Sequence, residues 1–149
     1  MLNPSSIHPD VELRDFLTGK ISVVVSGEQT EPVAIYGDWE KPTNTSPVDF
    51  IICMLNGDVS GVGMDTPFAK GYIMVSLYCK LNDDGSVKKN RVSKILEQFD
   101  NLIEKKCTEN YYFEYEADRF ITPTTPNQTT GYSITSLNLK WTTTRNFNK

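Results

Sequence analysis

The chain has 149 residues, of which 38% are hydrophobic and 11% aromatic, and this length and composition fit one domain with its own core. Its net charge is −4 and its basic residues are scattered, which argues against a surface that grips nucleic acid. No stretch approaches the roughly 20 apolar residues that a membrane helix needs, so we expect a soluble protein that makes no membrane contact.

The first third of the sequence predicts one short helix followed by three strands. Residues 9–17 begin with a proline and are followed by Gly19, which is typical of a helix that stops at this glycine. The strands are β-branched or apolar runs between polar segments. They are predicted at 21–25, 33–36 and 48–55, with a hairpin-like connection at 26–32, a polar loop at 38–47 and an Asn56-Gly57 turn closing the third strand.

The segment 57–70 is predicted to be a long flexible loop or an extended hairpin tip, because it contains three glycines and a proline. A plain connection does not need this length, and long loops are usually functional or disordered. The segment also carries apolar side chains that a solvated loop does not need. We therefore predict a contact surface for a second copy or a partner protein at Val59, Val62, Met64 and Phe68.

The remaining sequence predicts a long helix between strands. Residues 71–81 alternate strictly between apolar and mixed side chains, which indicates a strand with one core face. Residues 87–106 place six apolar side chains on one stripe of a helix. Further strands are predicted at 111–118 and 134–142, with an exposed loop at 122–131.

This order of elements predicts a single α+β domain over residues 1–149. Its core is a mostly antiparallel sheet on which one long and one short helix pack. The first six residues and residues 144–149 are expected to be flexible ends.

A search for catalytic or metal-binding motifs finds none with the required spacing. The only histidine, His8, cannot build a multi-histidine metal site, and no nucleophile motif accompanies it. Asp58 and Asp65 have no supporting motif, and the turn at 83–85 lacks the spaced ligands of a calcium loop. The glycine-rich stretch 57–63 lacks the Gly-Lys-Ser/Thr ending of a phosphate-binding loop. We predict no catalytic residues, no metal and no cofactor.

Three further groups of residues have structural interpretations. The cysteines at 53, 79 and 107 form no Cys-x-x-Cys pair, and the first two fall in apolar strand patterns, which fits buried thiols in a reducing compartment. The aromatic residues at 111–115 have acidic neighbours, so we expect a core face and a protein contact rather than a base-stacking platform. The basic residues of the long helix are expected to form a solvated face, and they are Lys88, Lys89, Arg91 and Lys94.

The order of elements resembles that of the tail-terminator, or tail-completion, proteins of long-tailed bacteriophages. The features that carry the resemblance are the first helix with Phe16 and Leu17, the strand 71–78, the Asp84-Gly85 turn, the amphipathic helix 91–106 and the closing strand 137–141. The resemblance spans nearly the whole chain as topology. The polar loop at 38–47 matches no part of the family pattern.

The resemblance implies a structural virion protein that forms a ring, a homohexamer in the family, at the head-proximal end of the tail. Its implied partners are other copies of itself, the tail tube protein and the head–tail connector protein, and DNA only passes through the lumen. It implies a location in the tail or neck of the virion, after assembly in the host cytoplasm. The alternatives are another neck protein of the head–tail connector, or a small α+β ligand-binding domain or enzyme with a pocket between sheet and helix.

Overall fold

The computed structural model describes residues 8–26, 29–38, 40, 49–60, 70–103, 111–115, 124–127 and 129–143. Within these ranges the chain forms two helices and eight strands. In chain order they are α1 (Pro9–Leu17), β1 (Ser22–Ser26), β2 (Gln29–Pro32), β3 (Ala34–Tyr36), β4 (Asp49–Ser60), β5 (Lys70–Lys80), α2 (Lys89–Ile103), β6 (Tyr111–Tyr115), β7 (Thr125–Asn127) and β8 (Tyr132–Thr143).

A six-stranded sheet is the centre of the fold. Its strand order is β3-β4-β5-β8-β6, and β7 pairs with one end of β8. The β3–β4 pair is parallel and the other pairs are antiparallel, so the predicted mostly antiparallel α+β fold is confirmed. β1 and β2 form a separate antiparallel pair, and only Val33 separates β2 from β3.

Both helices pack on one face of this sheet, where the core lies. The strict alternation predicted for residues 71–81 is confirmed, because every second side chain of β5 is buried in the core. α1 contributes Leu13 and Leu17, and the long helix α2 contributes its predicted stripe. The buried members of that stripe are Val92, Ile95, Phe99 and Ile103, with Leu96 and Leu102 partly buried beside them.

Three sequence predictions need correction. The Asn56-Gly57 turn is wrong, because β4 continues to Ser60 and still pairs with Lys70 of β5, with a register shift between Asn56 and Ser60 that accommodates the glycine. The predicted connection 26–32 contains the strand β2, since β1 needs a partner for its backbone groups. The predicted loop 122–131 contains β7 for the same reason at the end of β8.

The remaining predictions fall partly outside the described residues. Outside the described residues lie both predicted flexible ends, residues 39 and 41–47 of the predicted loop 38–47, and residues 104–106 of the predicted long helix. In the part of the chain that the structure describes, neither helix has the length and apolar content needed to cross a membrane.

Candidate functional site

The four residues predicted to form a contact surface lie at or beyond the end of the β4–β5 pair. Val59 belongs to β4, but its side chain lies outside the described part of the chain. Val62, Met64 and Phe68 also lie outside the described residues. The structure therefore places the base of this segment at the Ser60–Lys70 pair and leaves the predicted contact surface as a prediction.

The sheet has a second face, opposite the helices, which we call the outer face. Strand register assigns its members, because side chains that alternate with the core residues point away from the helices. None of these residues belongs to the core cluster that contains the helices. The apolar and aromatic members of the outer face are Tyr36, Phe50, Ile52, Met54, Tyr72, Met74, Tyr78, Tyr112, Tyr132 and Ile134.

One end of the outer face is an aromatic cluster. The ring of Phe50 stacks on that of Tyr78 with centroids 4.7 Å apart and an interplanar angle of 5°. Tyr132 meets Phe50 edge-on at 5.4 Å, and Tyr36 meets it edge-on at 6.1 Å. These are the offset and edge-to-face geometries that aromatic rings prefer, so the cluster fixes its own side chains without contact from the helices.

The other end carries the most exposed aromatic side chains of the face. Tyr72 is 40% exposed and Tyr112 is 44% exposed. Between the two ends the hydroxyl groups of Ser76 and Ser136 lie 2.9 Å apart. The outer face is therefore a mixed surface with apolar groups at both ends.

A groove of about 460 Å³ opens beside the middle of the outer face, and we call it the methionine groove. Its apolar lining comes from β4 and β5, where Met54 and Met74 are directly paired across the strands. Its charged lining consists of two carboxylates from the connection after β3. The lining residues are Asp38, Glu40, Ile52, Met54, Leu55, Asn56 and Met74.

The carboxylates beside the groove are held by short-range contacts. Glu40 accepts hydrogen bonds from the Gly37 amide and from Arg14 Nη1, the latter at 2.7 Å, and these bonds lower the pKa of Glu40 below its ordinary value. Asp38 Oδ2 accepts the Leu55 amide at 3.2 Å. The surroundings of the groove are thus acidic, with the Arg14 guanidinium as a partial counter-charge.

A buried carboxylate lies behind this group. Asp10 is only 5% exposed, and its Oδ2 accepts the Asp38 amide at 3.0 Å. Its Oδ1 has no hydrogen-bond partner among the residues that the structure describes. This hydrogen bond ties α1 to the connection after β3.

The predicted solvated face of α2 needs a correction at Arg91. Its Nε donates to both carboxylate oxygens of Asp49, at 3.0 and 2.8 Å, and its Nη2 donates to Oδ2 at 2.5 Å. The Asp49 side chain is only 3% exposed. These bonds raise the pKa of Arg91, so this arginine is an internal counter-ion that joins α2 to β4.

A cleft of about 430 Å³ lies between β1 and α2. In it Gln98 occupies the outward edge of β1, because its Oε1 accepts the Ser22 amide at 3.0 Å and its Nε2 donates to the Ser22 carbonyl at 2.8 Å. Arg91 Nη1 donates to the Val24 carbonyl at 3.3 Å. The cleft is lined mainly by polar side chains of α2, and these already satisfy part of the strand edge.

Of the residues considered for catalysis, Asp65 and the side chain of Asp58 lie outside the part of the chain that the structure describes. His8 is exposed, and its backbone amide donates to the Tyr111 hydroxyl at 3.1 Å. Burial raises the pKa of the Cys79 thiol to about 12 and raises that of Cys53 as well, which keeps both predicted buried thiols neutral. In the described ranges no group of three or more histidine, cysteine or acidic side chains has the arrangement of a metal site.

Comparison of the sequence with models of known protein families and with curated proteins found no match to either. The candidate site therefore rests on the geometry of this chain alone.

Sequence reasoning missed the outer face, although β5 contained a signal for it. The residues that alternate with the core side chains of β5 include Tyr72, Met74 and Tyr78. A strand with one solvated face usually carries polar residues at such positions. Their apolar character indicates a second contact surface, but only the strand register shows that Met54 lies directly opposite Met74.

Proposed function

We propose that this protein is a structural component of a long-tailed bacteriophage. It forms a ring at the head-proximal end of the tail, ends tube polymerisation and joins the tail to the head connector. The observation that supports this proposal most is the outer face. It presents exposed aromatic side chains and an apolar groove on the side of the sheet away from the core helices.

The outer face suits protein assembly because of its chemistry. Tyrosine gives large contact area at low cost in side-chain ordering, and tyrosine and methionine are both enriched at protein interfaces. Tyr72 and Tyr112 are the exposed anchors of this surface. Exposed aromatic groups within a largely polar surface are the usual composition of a non-obligate protein interface.

A closed ring needs two different surfaces that fit head to tail. In this proposal the outer face is one surface, and the segment that carries Val59, Val62, Met64 and Phe68 belongs to the other. Six copies with a charge of −4 each carry −24 in total. This charge weakens DNA adhesion where it faces the lumen, so that DNA passes through without being held.

The test is electron microscopy of tail tubes assembled with this protein. We expect a ring on one end of each tube and an end to tube growth. Tyr72→Glu with Tyr112→Glu should abolish capping, because two carboxylates would be placed in the interface. Lys89→Glu changes an exposed residue of α2 and serves as the control, and His8→Ala should also cap normally. Tubes that grow unchanged beside the folded wild-type protein contradict the proposal.

A second candidate function, a small ligand-binding domain, is favoured by the cleft between β1 and α2. Its volume of about 430 Å³ falls within the ordinary range of roughly 300–1,000 Å³ for ligand pockets. Its lining combines polar side chains of α2 with apolar surface from Val23 and Val24. A small-molecule library screened by thermal shift should then give hits that Gln98→Leu removes, whereas the ring proposal predicts none.

A further inference from the structure

The methionine groove combines an apolar floor with negative charge. The apolar lining comes from Ile52, Met54 and Met74. The two methionine side chains are flexible and polarisable, so they can adjust to an inserted side chain. Asp38 and Glu40 line the same groove, and the buried Asp10 lies beside them. A complementary segment therefore has a large apolar side chain with cationic groups on either side.

Residues 144–149, which follow β8, have this chemistry. Arg145, Phe147 and Lys149 occupy every second position, so in an extended segment all three point to the same side. This places one aromatic side chain between two cations. The 61–69 segment is apolar too, but Asp65 is its only charged residue, and the carboxylates of the groove would repel it.

A chain cannot easily lay residues 144–149 over its own groove. Asn138 is level with Met74 and Met54 across the strands, and Thr143 lies five residues beyond it. The separation of Thr143 from Met54 is therefore about 17 Å along the strands and about 10 Å across two strand spacings, or about 20 Å in all. Phe147 is four residues beyond Thr143, and four extended residues span at most about 14 Å. The segment would also have to reverse direction at β8.

We infer that the methionine groove of one copy binds residues 144–149 of a neighbouring copy. Phe147 inserts between Met54 and Met74, and Arg145 and Lys149 contact the carboxylates of Asp38 and Glu40. This is a head-to-tail contact between two different surfaces, as a ring requires. The inference rests on the proposed ring and names one of its contacts.

Site-specific cross-linking tests the contact in the full chain. A photoreactive phenylalanine analogue at position 147 is introduced into isotopically light and heavy protein, and the two are mixed, allowed to assemble and irradiated. We expect cross-linked peptides that contain Met54 or Met74, with half of them joining a light chain to a heavy chain. If every cross-linked peptide pair carries one label only, each groove binds residues 144–149 of its own chain, and the inference is wrong. Cross-links elsewhere would also overturn the inference.

A peptide-binding measurement tests the methionine groove independently of ring formation. The peptide 143–149, carrying a fluorophore, is titrated with the chain truncated after Thr143. Arg145→Glu with Lys149→Glu in the peptide, or Phe147→Ala, should weaken binding by roughly tenfold or more, the effect of losing charge pairs or an anchor. Met74→Lys in the protein should do the same. Ser93→Lys, at an exposed position of α2 outside the groove, is the control.

The outcomes distinguish the inference from the proposed function. Rings seen by native mass spectrometry without cross-links in the groove overturn the inference and leave the proposed function standing. A chain that stays monomeric but binds the peptide overturns the proposed ring and supports the chemistry of the groove. If Met74→Lys fails to fold by circular dichroism, the peptide variants decide, because they leave the protein unchanged. Equal binding of all peptides overturns the inference.

Discussion

Arg91 determines whether the buried carboxylate of Asp49 is tolerated. Three hydrogen bonds from one guanidinium reach Asp49, and the pair ties the start of α2 to the first residue of β4. Sequence alone gave no reason to single out this pair, because 42 residues separate its members. In the sequence Arg91 cannot be distinguished from the other basic residues of the helix, and only the fold places Asp49 next to it.

Arg91→Leu should lower the free energy of unfolding by about 3–5 kcal/mol, since it leaves the Asp49 charge buried and unpaired. Arg14→Leu is the matched control. Arg14 pairs with Glu40 and Asp15, but these partners are more exposed, and such pairs contribute roughly 0–1 kcal/mol. Urea denaturation of both variants measures the difference. Equal losses would show that the burial of Asp49 has no energetic consequence.

Gly71 is required by a close approach to Trp141. The two residues are directly paired across β5 and β8, and a Cβ on Gly71 would lie 2.7 Å from Trp141 Cζ2. Gly71→Ala should displace the indole, shift the tryptophan fluorescence and cost about 1–3 kcal/mol. Gly131→Ala has open space around its Cβ but a φ of +80°, so it should lose stability without changing the fluorescence. An unchanged spectrum for Gly71→Ala would contradict the packing.

At the scale of elements, the long helix α2 is fixed to the sheet by its apolar stripe. Phe99 is 1% exposed at the middle of this stripe, so Phe99→Ala should lower the free energy of unfolding by about 3–5 kcal/mol. Leu96→Ala removes a side chain that is only partly buried and should cost less. Thermal and urea unfolding compare the two variants. A larger loss for Leu96→Ala would mean that the helix is rotated on the sheet.

The sequence predicted the elements with strong periodicity. α1, β5 and α2 were predicted from their apolar patterns. A helix or strand with one buried face repeats its apolar residues at a regular spacing, and this spacing can be recognised in the sequence without the tertiary structure. The short strands β2 and β7 were missed, since three or four residues are too few to show a regular apolar spacing. They form strands because they pair with β1 and β8. Asn56-Gly57 was read as a turn, but pairing with β5 overrides this local preference.

The candidate site was less predictable than the fold. The sequence pointed to Val59, Val62, Met64 and Phe68 from glycine content and loop length. It did not point to the methionine groove, because Ile52, Met54 and Met74 come from two strands and their convergence depends on register. The carboxylates of Asp38 and Glu40 lay in a polar loop that matched no pattern. Only the fold brings them beside the groove.

At the scale of the whole molecule, the segment between β4 and β5 is expected to act in assembly and not in folding. Replacing residues 61–69 by an Asn-Gly turn retains the Ser60–Lys70 pair and should leave the thermal midpoint within a few degrees of the wild type. The same variant should no longer form rings, because it lacks Val62, Met64 and Phe68. Size-exclusion chromatography with light scattering compares it with the wild type. Rings that persist would exclude this segment from the interface.

In the proposed assembly, copies of this chain join head to tail into a closed ring. Native mass spectrometry of the purified protein, alone and with the tail tube protein, tests it most directly. We expect a discrete particle of six times 16.9 kDa with no larger series, because a closed ring leaves no free interface. A protein that remains at 16.9 kDa in the presence of the tail tube protein, or that forms an open-ended series of masses, would rule out the closed ring.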